Sequence, residues 1–155
     1  MLQELLTALE QSAVSETLRF WRWAYPLVNT GHILGIALLF GAIVPLDLRL
    51  VGVWRSIPLK SLAKVLLPVA GSGLGLALFT GPLLFSVDPF KYAGLWLFWL
   101  KLLLIVLALF NVLLVHRSVA WREGDETTLR LQFTGLVSAL LWLLVILCGR
   151  LIAYV

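Results

Sequence analysis

Apolar residues dominate four long runs of this chain: Pro26 to Val44, Val65 to Phe85, Leu95 to Val115 and Phe133 to Tyr154. Each is about as long as the ~20 residues a helix needs to cross a hydrocarbon core. Lipid offers the backbone neither donors nor acceptors, so a spanning segment must satisfy its own hydrogen bonds. The runs also lack the alternating polarity of membrane barrel strands. The pattern predicts an all-α fold, an integral membrane four-helix bundle. Short connections favour antiparallel neighbours and a single transmembrane domain over residues 1–155. Ahead of the first run, Leu2, Leu5, Leu6, Leu9 and Leu18 recur at spacings suited to one helical face, with Glu4, Glu10 and Glu16 between them. This predicts an N-terminal amphipathic interfacial helix over residues 2–19. A signal peptide fits less well, because the start is acidic and has no basic region.

Hydrophobic residues make up 61% of the chain and charged residues 13%, with a mean hydropathy of +1.01, whereas soluble domains carry about 25% charge. The net charge of +4 needs no nucleic acid to explain it, since basic residues beside membrane spans meet anionic headgroups. The lipid bilayer is the expected partner. Arg49, Arg55, Lys60 and Lys64 follow the first run, and Arg117, Arg122 and Arg130 follow the third. By the positive-inside rule these two loops are cytoplasmic and both termini lie outside. Phe20, Trp21, Trp23 and Tyr25, with Phe90, Tyr92, Trp96 and Tyr154, form an aromatic belt at the terminal side. Gly31 with Gly35, and Gly71 with Gly75, have the small-xxx-small spacing that brings helices close, either within the bundle or in a homo-oligomer. Pro68 and Pro82 each remove a backbone donor from the second run and are read as bends.

Two ionisable residues interrupt the apolar runs, His32 in the first and Lys101 in the third. Such groups are costly at membrane depth and mark functional sites. Each lies about 9 Å from the outer end of its run at the helical rise, and the two helices run in the same direction, so the side chains share a layer. Ala108 lies near the Lys101 face and Asn111 is displaced from it by less than a quarter-turn, leaving room for a polar or planar guest. The plain alternatives are a snorkelling lysine and a histidine bonded to a neighbouring carbonyl. His116, at the cytoplasmic end of the third run, is roughly 22 Å or more from His32, so the two cannot ligate one haem iron. Asp47 and Arg49 place opposite charges at the cytoplasmic mouth, pairing with each other, a loop or lipid phosphate. Cys148 stands alone and reads as a small buried hydrophobe.

The stretch from His32 through Gly41 to Asp47-Leu-Arg-Leu-Val-Gly52, with Lys101-Leu-Leu-Leu through Asn111 to His116, resembles a family of small uncharacterised bacterial four-helix membrane proteins. The likeness covers nearly the whole chain and implies a bacterial inner membrane location, but it carries no activity. A more distant likeness is to HemJ-type protoporphyrinogen oxidases and CopD-type copper proteins. HemJ-type proteins have a histidine early in one span and a lysine early in a later one, associated with b-type haem, and His32 and Lys101 occupy comparable places. This chain lacks their fuller aromatic and Tyr-His signature after the first span, so the likeness does not carry porphyrinogen oxidation itself. Copper handling is weaker still, with one methionine, one cysteine and no clustered histidines.

Three classes of function follow. The first is a redox protein with haem b or a quinone at His32, Lys101 and Asn111, in which His32 is the metal ligand. The second is a non-catalytic accessory or assembly subunit of a membrane complex. The third is a small transporter or channel, for which the runs supply no intramembrane carboxylate. Soluble-enzyme chemistry has no support in the motifs.

Overall fold

The computed structural model describes residues 1–117 and 129–155, and among these it contains helices and short connections but no strand. Two short helices, α1 (Leu2–Glu10) and α2 (Ala13–Phe20), lead into α3 (Ala24–Val51) and α4 (Leu59–Val87). The one-turn α5 (Pro89–Gly94) then precedes α6 (Trp96–Arg117) and α7 (Leu129–Leu151), which ends in a 3₁₀ turn (Ile152–Tyr154). Four helices, α3, α4, α6 and α7 with its terminal turn, are long and apolar enough to cross a membrane. The all-α four-helix membrane bundle is therefore the fold. Four crossings return both termini to one side, here called the terminal face. The α3–α4 connection lies at the opposite loop face. Arg122 of the expected basic loop is outside the described residues.

The spans are longer than the apolar runs that announce them. The first helix continues through Pro45 to Val51, so Asp47, placed by the sequence at a loop mouth, lies inside a helix. Gly52 closes that helix with a positive φ of 110°, a conformation that costs glycine nothing. Its N–H and that of Val53 return to the carbonyls of Arg49 and Leu48, satisfying acceptors left open by the last turn. Arg49 is buried, and its guanidinium donates to the Ile57 and Arg55 carbonyls, at 2.6 and 3.2 Å. It thus ties the helix end to the α3–α4 connection.

The expected interfacial helix over 2–19 is interrupted. Ser12 donates to the Leu9 carbonyl at 2.7 Å and accepts from the Ser15 N–H at 3.2 Å, so it ends one helix and caps the next. Serine competes for backbone partners in this way and favours caps over helix interiors. Ser15, fully buried, donates to the Ser86 carbonyl, and Arg19 holds the Val87 carbonyl and Glu10. These bonds fasten α2 to the end of α4.

Helix α3 lies between α4 and α7, and α7 lies between α3 and α6. The shared core includes Leu39 and Ile43 of α3, Ala70 of α4, Leu104 and Ala108 of α6, and Trp142 of α7. The α3–α4 crossing is made by Gly35 and Gly73. A Cβ at Gly73 would lie 2.5 Å from the Leu39 nitrogen and 2.6 Å from the Gly35 oxygen, both backbone atoms. Gly71 and Gly75, the spaced pair singled out in the sequence, face open space instead. Near the terminal face α4 and α6 meet through the Phe85 and Phe98 rings, stacked at 5.0 Å, with Tyr92 tilted against both.

Candidate functional site

The terminal half of the bundle brings His32 and Lys101 together. His32 lies on α3 about 12 Å from its start, and Lys101 lies on α6 about 8 Å from its own at the helical rise. The ammonium is near enough to the imidazole to act on it electrostatically. All four spans contribute to this layer. Helix α4 supplies Thr80, and Gly81 keeps the helix surface low beside the ring: a Cβ there would sit 3.5 Å from the His32 Cε1. Helix α7 supplies Gly149, where a Cβ would sit 3.7 Å from the Lys101 Nζ, and the buried Cys148 beside the same ammonium. Phe85 is five residues beyond Thr80 and Phe98 three residues before Lys101, both toward the terminal face. The stacked rings therefore lie on the terminal-face side of the layer.

Hydrogen bonding orients the imidazole and favours one tautomer. His32 Nδ1 is 2.9 Å from the Thr80 hydroxyl oxygen, and that oxygen is 2.7 Å from the Leu76 carbonyl oxygen. A carbonyl cannot donate, so the single hydroxyl proton of Thr80 goes to Leu76. Nδ1 must then carry a proton and donate it to Thr80. The Ala77 carbonyl, also beside the ring, is likewise only an acceptor. The remaining nitrogen, Nε2, holds a lone pair.

Lys101 is half-buried, and among the described residues its ammonium has neither a hydrogen bond nor an acidic partner. Three donors and a positive charge thus stand near the His32 imidazole in a largely apolar interior. A desolvated charge is stable only when paired and hydrogen-bonded. The layer is accordingly suited to a guest that offers oxygen acceptors to the lysine and an electrophile or proton donor to the histidine.

Asn111 does not join this layer. It is ten residues below Lys101, about 15 Å along the helix, and its amide donates to the Thr134 carbonyl of α7 at 3.0 Å. Its visible role is to tie α6 to α7. His116 is likewise remote, with Nδ1 2.9 Å from the Val112 carbonyl of its own helix. No group of three or more His, Cys, Asp or Glu side chains among the described residues forms a ready metal cage, so any metal here would arrive with its own ligand frame.

Sequence reasoning missed Thr80, the Phe85–Phe98 stack and the proximity of Cys148 to Lys101. The available signal for Thr80 was a hydroxyl inside an apolar run, a weak one because such a group can satisfy itself on its own helix. Comparison with protein families, with curated proteins and with solved structures finds no match to this chain.

Proposed function

We propose that this chain is a small multi-pass membrane redox protein holding a b-type haem in the terminal half of the bundle. His32 would ligate its iron and Lys101 would be its second polar anchor. The observation that carries the reading is the pairing of an imidazole anchored on Thr80 with an acid-free ammonium in one layer of the bundle. A neutral imidazole whose Nδ1–H is anchored on a second residue is the form that ligates iron, because the anchor orients the ring and raises its basicity. Haem supplies one-electron chemistry. The chain's part would be to hold the ring on Thr80 and to offer the lysine to a carboxylate oxygen.

A quinone is the other guest for the same atoms, with Lys101 donating to a carbonyl oxygen and Nε2 accepting from a quinol hydroxyl. Absorption spectra of membranes from haem-replete cells decide between them. Haem predicts a Soret band with wild type and its loss in His32→Ala at equal protein. Wild type without a Soret band overturns the haem reading. Stoichiometric quinone in the purified protein, lost in Lys101→Met, would then establish the alternative.

The setting belongs to the same proposal: a bacterial inner membrane, with both termini outside. A second reading, an accessory subunit of a larger membrane complex, is favoured by one feature. Pro68, Gly71, Ser72, Gly75 and Pro82 form an exposed, shallow stripe along α4, and such surfaces suit close contact with another helix. Co-purification of a partner from wild type, lost in Gly75→Leu, would support it.

A further inference from the structure

A second polar group lies on the loop-face side of the core and takes no part in the site above. Asp47 of α3 is 5% exposed and about 22 Å below His32 along the helix. Helix α7 approaches it closely at Gly135, where a Cβ would meet the Asp47 carbonyl oxygen at 2.9 Å and the Leu50 Cβ at 2.8 Å. That approach sets Ser138, one turn on and also buried, close enough to the carboxyl to interact with it. Trp142 is one further turn along the same face and 4% exposed. Asp47 Oδ2 and Trp142 Nε1 are both buried and both lack a partner. Among the described residues, each helix of this packed pair therefore carries one unsatisfied buried polar atom, an acceptor on α3 and a donor on α7.

No cation compensates the carboxyl among the described residues. Arg49, two residues on, points to the α3–α4 connection and makes no ion pair with Asp47. Helix α7 faces Asp47 with Ser138, and Arg130 at its start is exposed. On α4, Lys60 and Lys64 are exposed, and on α6 His116 is bonded to its own helix. An ionised carboxylate in this setting would cost several kcal/mol, whereas a carboxylic acid gains a donor and sheds the charge.

We infer that Asp47, with Ser138 beside it, is an internal proton-binding site of the bundle. The carboxylate takes up one proton to give the acid and returns it on release; no electron moves and no other bond changes. The inference is independent of the haem reading, because one is read in the infrared and the other in the visible.

The test is infrared spectroscopy of the full chain in liposomes, with aspartate labelled at its side-chain carboxyl carbon. The chain has three aspartates, and an exposed one, with a pKa near ~3.9, is ionised at pH 7. The expected result is a labelled acid C=O band at pH 7 in wild type that shifts in deuterium oxide. It should be absent in Asp47→Asn and displaced in Ser138→Ala. No acid band in wild type, or a band that persists in Asp47→Asn, overturns the inference. Should Asp47→Asn fail to fold, Ser138→Ala decides: an unmoved band sinks the assignment.

Discussion

His32 and Lys101 were legible in the sequence because each interrupts an apolar run at a matching distance from its end, and depth in a bundle follows directly from that count. Asn111 was grouped with them because a helical projection preserves face and discards height: ten residues return close to the same side while descending about 15 Å. Thr80 was hidden for another reason. A hydroxyl that bonds the carbonyl four residues back hardly disturbs an apolar helix, so its second role, accepting from His32, appears only in three dimensions. Thr80→Val removes that acceptor, and haem affinity should fall ~10–100-fold, measured by titration of the apo-protein, with the helical content unchanged. Lys101→Met removes a charge that lacks an acidic partner. It should raise the Tm of the ligand-free protein, on the order of 1 kcal/mol, while weakening the guest; a lower Tm would mean that the ammonium is already satisfied. Outside the spans, burial, then Tyr25, then Asp88 hold the Tyr92 phenol above the ordinary tyrosine value. An acid whose folded value is raised stabilises the fold fully below its unfolded value, near ~10, and loses that contribution as pH rises through the folded value. Tyr92→Phe should therefore flatten the loss of thermal stability at high pH.

At the scale of elements, hydrophobic run length announced all four spans but not their ends, because helices outlast the apolar stretch wherever polar side chains can be held by neighbours. Arg49 is such a case: buried, it finds the carbonyls of Arg55 and Ile57. The glycine pattern misled in an instructive way. Spacing identifies which residues are small, whereas the crossing angle decides which of them meet, and here Gly35 meets Gly73 rather than the Gly71 and Gly75 pair. Two substitutions on one helix separate these roles. Gly73→Ala drives a methyl into backbone atoms that cannot yield and should cost about 1–3 kcal/mol. Gly71→Ala meets open space and should be neutral or slightly stabilising in a monomer. Thermal unfolding in detergent measures both; equal effects would contradict the crossing. The break between α1 and α2 was also within reach of the sequence, since Ser12 is a cap residue. Ser12→Ala should cost about 1 kcal/mol, seen as faster hydrogen exchange in α2.

Across the whole molecule, the structure sharpens the charge asymmetry on which the membrane orientation depends. On the loop face Arg55, Lys60, Lys64, Arg117 and Arg130 are exposed, while Asp47, the acid nearest them among the described residues, is buried. On the terminal face Arg19 is bonded to Glu10 and Arg150 to the Tyr154 hydroxyl, and Glu4, Glu16 and Asp88 add exposed negative charge. Arg22 and Lys91 are exposed on the terminal face and offset two of the loop-face cations, and each exposed cation near an anionic leaflet is worth ~1 kcal/mol, so the remaining excess on the loop face favours one orientation. The loop face should therefore be cytoplasmic. In a Cys148→Ser background, Gln3→Cys should react with an impermeant maleimide on intact cells, and Ser56→Cys should react only after the membrane is opened. The reverse pattern would invert the protein and put the His32–Lys101 layer in the cytoplasmic half. Labelling of both sites on intact cells would show that the charge difference is too small to select one orientation.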